Sequence, residues 1–71
     1  MVMARADGRL ITELERWAWR YEHSGGEFDE TALFAAGEEA LKALRAGYGF
    51  EEAFRIGRDV YFGVLESAKS S

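Results

Sequence analysis

The one histidine of this chain, His23, stands among carboxylates: Glu22 beside it, with Glu27 and Asp29 just past a Ser24-Gly25-Gly26 break. An imidazole near carboxylates is the donor set of a metal site or of an acid–base pair. A helical metal site needs ligands that converge, as at His-x3-His or Glu-x2-His spacing, and neither spacing occurs. The simpler expectation is a histidine near a helix C-terminus, where its side chain can satisfy end carbonyls and is favoured by the helix dipole. Two acidic pairs, Glu38-Glu39 and Glu51-Glu52, offer the other chemistry-bearing residues. Neighbours on a helix point about 100° apart, so neither pair is a catalytic dyad, and both read as solvated faces. The glycines of Ser24-Gly25-Gly26 and Gly47-Tyr48-Gly49 lack the spacing of a phosphate loop, and no G-x-S-x-G elbow is present. Zero Cys removes thiol catalysis, disulfides and Cys-based zinc sites together. The expectation is therefore no catalytic, cofactor-binding or metal-ligating residue, no cofactor and no enzyme.

Nucleic acid is the next class to weigh. Ala43-x3-Gly47 ahead of a helical segment has the outline of a helix-turn-helix, but Lys42 stands where that motif takes an apolar residue. The segment that would read the groove opens with Glu51-Glu52, which phosphate repels, and only Arg55 and Arg58 oppose that charge. By segment the formal charge is 0 over residues 1–26, −3 over 27–46 and −1 over 47–71, so no stretch is basic. A DNA-binding regulator is kept only as a minor alternative.

These residues sit in a chain of 71 residues with a net charge of −4, a length that allows one domain. Apolar residues make up 48%, far above the composition of a disordered chain, so a packed core is expected. No apolar run is long enough to span a bilayer, and Met1 to Ala6 is too short for a signal peptide. A small acidic cytoplasmic protein is expected, with no membrane partner and no small-molecule substrate in evidence.

Three segments carry helical periodicity, predicted at about residues 10–23, 30–46 and 50–68, with 69–71 a polar tail. In the first, Leu10, Leu14, Trp17 and Tyr21 recur at the helical period, and Thr12 with Glu15 fits a capping box that would start the helix at Thr12. Asp7 is an earlier candidate cap. A rival reading remains for residues 1–22. Trp17, Trp19 and Tyr21 alternate as a strand would, and Asp7-Gly8 suits a two-residue turn, giving a β-hairpin followed by two helices. In the second segment Asp29 is the predicted N-cap, with Phe28 and Leu33 as a hydrophobic staple. Its stripe is Leu33, Gly37, Ala40 and Leu44, flanked by Phe34 and Leu41, with Glu38 and Lys42 as an i, i+4 pair opposite. The third carries Phe50, Ala53, Phe54, Gly57, Val60, Tyr61, Val64, Leu65 and Ala68 on one side. Gly47 is the expected C′ residue before it. Short Gly-marked links between amphipathic helices predict an all-α three-helix bundle. Seven rings are expected in its core: Trp17, Tyr21, Phe28, Phe34, Phe50, Phe54 and Tyr61. Tyr48 falls in a turn and is unassigned.

Two rings break the pattern. Trp19 projects away from the first stripe, and Phe62 lies on the charged side of the third, between Arg55 and Arg58. Exposed aromatics are enriched where proteins meet. Trp19, Phe62, Arg55 and Arg58 are therefore the expected partner interface. The function expected is a non-catalytic interaction or regulatory protein that docks on a protein partner or on a second copy of itself. In size, acidity and lack of catalytic residues the chain is similar to phage- or plasmid-encoded inhibitors, anti-CRISPR proteins among them, although no motif carries that likeness.

Overall fold

A computed structural model describes residues 5–70. They form three helices, α1 (Arg5–His23), α2 (Glu30–Arg45) and α3 (Phe50–Ser70), with no strand among them. The fold is a small all-α three-helix bundle. Leu14 of α1 and Ala40 of α2 both lie against Gly57 of α3, so all three helices meet there. α1 and α3 run parallel, Arg9 standing over Phe50 at one end and Tyr21 meeting Tyr61 edge-on towards the other. α2 runs antiparallel to both, Arg45 in its last turn meeting Asp7 in the first turn of α1.

The hairpin reading of residues 1–22 is overturned over the described part of that stretch, since α1 is helical from Arg5 onwards. Residues 1–4 lie outside the described residues. The capping box at Thr12 is overturned as well. Thr12 is mid-helix, and its hydroxyl donates to the Gly8 carbonyl at 2.9 Å, one turn back. The turn ahead of Thr12 also carries a tertiary contact. Asp7, in the first turn of α1, accepts from Arg45 in the last turn of α2 at 3.2 Å. That ion pair places each charge at the helix end that favours it. Residues 69 and 70, expected in a polar tail, belong to α3, which continues to Ser70, and Ser71 lies outside the described residues.

Both links follow their sequence signals. Gly25 and Gly47 have φ of 101° and 106°, a backbone region that L side chains rarely adopt. Each closes a Schellman motif. After α1, Gly26 N–H donates to Tyr21 and Gly25 N–H to Glu22; after α2, Tyr48 N–H donates to Ala43 and Gly47 N–H to Leu44. Asp29 caps α2 as expected, its carboxylate accepting from the Ala32 amide at 3.0 Å. Phe28 and Leu33 both pack on the same buried cluster.

The core differs from the seven-ring expectation. Only Tyr61 is a fully buried ring. Trp17, Tyr21, Phe28, Phe50 and Phe54 are half-buried, and Phe34 is 71% exposed. The centre is made of small residues: Ala32, Ala36, Ala40 and Ala43 of α2 and Ala18 and Ala53 of the other helices, with Leu10, Leu14 and Leu65. The buried line of α2 is thus an alanine ridge, turned from the predicted Leu33/Leu44 stripe. Small side chains let helices approach closely, and α2 packs most extensively on α3. The charged face shifts with it: Lys42 pairs with Glu39 at 3.3 Å, not with Glu38.

Candidate interaction surface

The expected interface residues do not form one patch. α1 separates them, because Trp17 and Trp19, two positions apart, point about 200° apart around a helix. Trp17 faces α3. It packs edge-on against Tyr61 and Phe62, with centroids 5.2 and 5.4 Å apart, and stacks on Tyr21 at 5.6 Å. Tyr21 also meets Phe62 edge-on at 5.3 Å. Phe62 is 38% exposed, and this pile of rings accounts for its position: it extends the core outward between α1 and α3. Edge-to-face pairs of this kind add about 0.5–1.5 kcal/mol beyond the area they bury.

Arg55 and Arg58 lie on the same side of α3 as Phe62, nearer its start. Arg55 is ion-paired with Glu52. Arg58 is half-buried with its guanidinium 5.3 Å from the centre of the Phe54 ring, as Arg9 stands over Phe50 at 5.0 Å. The cations are thus engaged within the fold, by a neighbouring carboxylate or by a ring face.

Trp19 projects the other way, over α2, and is 58% exposed. It meets Phe28 of the first link, with centroids 6.4 Å apart. Both rings belong to a groove of about 440 Å³ between α1 and α2. Its floor is Leu14, Leu33 and Gly37, where the helices come close: a Cβ on Gly37 would lie 3.0 Å from Ile11 Cδ1. Ile11 and Trp19 form the α1 wall, and Phe34 and Leu41 the α2 wall. Phe34, the ring assigned to the core by its spacing, is instead the most exposed large apolar side chain described. The signal that could have found it was the alanine run itself. If Ala32, Ala36, Ala40 and Ala43 face inward, Phe34 cannot.

Three carboxylates, Glu15, Glu30 and Glu38, rim this groove, and its lining contains no Lys or Arg. Among the described residues none of the three is ion-paired; the ion pairs involve Glu13, Glu27, Glu39, Glu52 and Asp7 instead. On the far side of Trp19, Arg16 pairs with Glu13 at 3.8 Å, and Arg20 sits on the outer face of α1.

Tyr61 holds one end of the groove in place. Its hydroxyl donates to the Glu27 carbonyl at 2.8 Å and accepts from the Asp29 amide at 3.1 Å, spanning the link that carries Phe28. Burial raises the pKa of this phenol above its ordinary value, since the anion would lose its hydration there.

His23 lies in the last turn of α1. Among the described residues no group of three or more His, Cys, Asp or Glu side chains is placed to hold a metal ion. No described helix is long and apolar enough to cross a membrane. Set against protein-family models, curated proteins and solved structures, the chain matches none of them.

Proposed function

We propose that this chain is a non-catalytic docking protein, and that it engages a protein partner through the groove between α1 and α2. The observation that supports this reading is the pairing of Trp19 and Phe34 on opposite walls of one apolar groove, at 58% and 71% exposure. Full burial of a large apolar side chain is worth about 1.5–3 kcal/mol, of which each of these rings forgoes the larger part, and large exposed apolar surface marks sites where another molecule binds. A concave apolar strip with an aromatic at each side is the form of a hot-spot pocket. Regulation or inhibition of the partner would follow from occupying its surface, with no chemistry performed on it.

The test is affinity capture from source cells with wild type, Phe34→Ala and Tyr48→Ala. Tyr48 is also exposed but lies in the second link, outside the groove. A protein retained by wild type and Tyr48→Ala and lost with Phe34→Ala is the expected result. Capture that ignores Phe34→Ala would refute the groove as the docking surface.

A further inference from the structure

We infer that the occupant of the α1–α2 groove is a basic amphipathic helix of a partner protein, an inference that rests on the docking function proposed above. The shape of the groove selects the helix. Along α2 the wall runs from Glu30 to Leu41, about 16 Å at 1.5 Å per residue, which matches three turns of a partner helix. A helix laid in a groove inserts side chains at i, i+4 and i+7, and the walls built by Trp19 and Phe34 leave an apolar floor to receive them.

Charge selects the sign. Glu15 stands on the α1 rim and Glu30 and Glu38 on the α2 rim, so carboxylates flank the floor on both sides. Glu30 has a local role as well, in the first turn of α2. Glu15 and Glu38 lie outside the first turns, and among the described residues none of the three is ion-paired, Arg16 and Arg20 standing beside Glu15 and Trp19 on the outer face of α1. A helix with Lys or Arg flanking its apolar stripe would bring a cation to each rim. An acidic helix would be repelled, as would a second copy of this chain, whose net charge is −4.

Calorimetric titration with two synthetic helical peptides tests this. Both carry Leu and Phe at i, i+4 and i+7; one has Lys at the remaining positions and the other has Glu. The basic peptide is expected to bind in the micromolar range, and the acidic one about tenfold more weakly or worse. Replacing the rim with Glu15→Gln, Glu30→Gln and Glu38→Gln together should weaken the basic peptide about tenfold, the combined effect of three exposed charge contacts. All three positions are exposed, and only Glu30→Gln gives up a helix-end interaction, so the melting temperature should fall by a few degrees at most and Glu15→Gln with Glu38→Gln alone should leave it unchanged. Equal binding of the two peptides, unchanged affinity in the triple variant, or no binding of the basic peptide at about 1 mM overturns the inference. A dimer seen by sedimentation and broken by Phe34→Ala also overturns it, naming a second copy as the occupant. The peptide affinities leave the docking reading itself untouched, because the Phe34→Ala capture experiment tests that reading separately.

Discussion

The Tyr61 hydroxyl donates to the Glu27 backbone carbonyl at 2.8 Å, joining the middle of α3 to the link between α1 and α2. The same oxygen accepts from the Asp29 amide, so one side chain satisfies two backbone groups of that link. Phe28 lies between the two residues it holds, and Phe28 closes the end of the groove beside Trp19.

Tyr61→Phe keeps the ring and removes both hydrogen bonds. It should cost about 1–3 kcal/mol, because a buried donor and acceptor lose their partner. Urea unfolding measures this, and an unchanged midpoint would contradict the role assigned to the hydroxyl.

The raised pKa of Tyr61 makes a separate prediction about pH. Near pH 10 the unfolded chain releases the phenolic proton while the folded chain keeps it. Stability from this group is therefore full below the unfolded pKa and is lost as pH rises through the folded pKa. Wild type should lose stability above about pH 10 more steeply than Tyr61→Phe, which has no phenol to titrate. Parallel pH profiles for the two proteins would remove the effect.

Two glycines of α3 should respond to alanine with opposite signs. A Cβ on Gly57 would lie 3.0 and 3.1 Å from the Leu14 methyls and 3.2 Å from Ala40 Cβ. Ala40 has no rotamer with which to yield, so Gly57→Ala should destabilise by about 1–2 kcal/mol despite its better helix propensity. A Cβ on Gly63 meets nothing within 4 Å, so Gly63→Ala should stabilise by about 0.5–1 kcal/mol. Thermal melts of the two variants check both signs.

Phe34→Ala should leave the melting temperature within the range of a surface substitution, about ±0.5 kcal/mol. A residue of the core would cost about 3–5 kcal/mol instead. A large loss of stability would mean that Phe34 supports the fold and is not held ready for a partner.

Much of the fold was legible because its signals were local. Asp29 capped α2 and Gly25 and Gly47 ended helices through backbone geometry that neighbouring residues set alone. The residues of α1 ahead of Thr12 were only partly legible: Asp7 is a cap candidate in the sequence but lies within the helix, held by Arg45 from 38 positions away, and the capping box at Thr12 points elsewhere. The register of α2 was misjudged because hydrophobicity weights Leu33 and Phe34 above alanine, while close packing on α3 favours the smaller side chain. That single rotation moved Phe34 from the expected core to the rim of the groove. Trp19 was singled out by the angle it makes with its own helix. What it stands beside was not readable, since Phe28, Phe34 and Leu41 belong to other elements.

The two tryptophans supply the most direct measurement of the docking surface. Trp19 lines the α1–α2 groove, while Trp17 packs under Phe62 on the α3 side. Their indole N–H resonances in a proton–nitrogen NMR spectrum therefore report on opposite faces of α1. On titration with the basic helical peptide the Trp19 indole signal should move, together with the amides of Phe34 and Leu41, while the Trp17 indole stays in place. Movement of Trp17 with Trp19 unchanged would contradict the groove as the docking surface and place the contact on the Phe62 face.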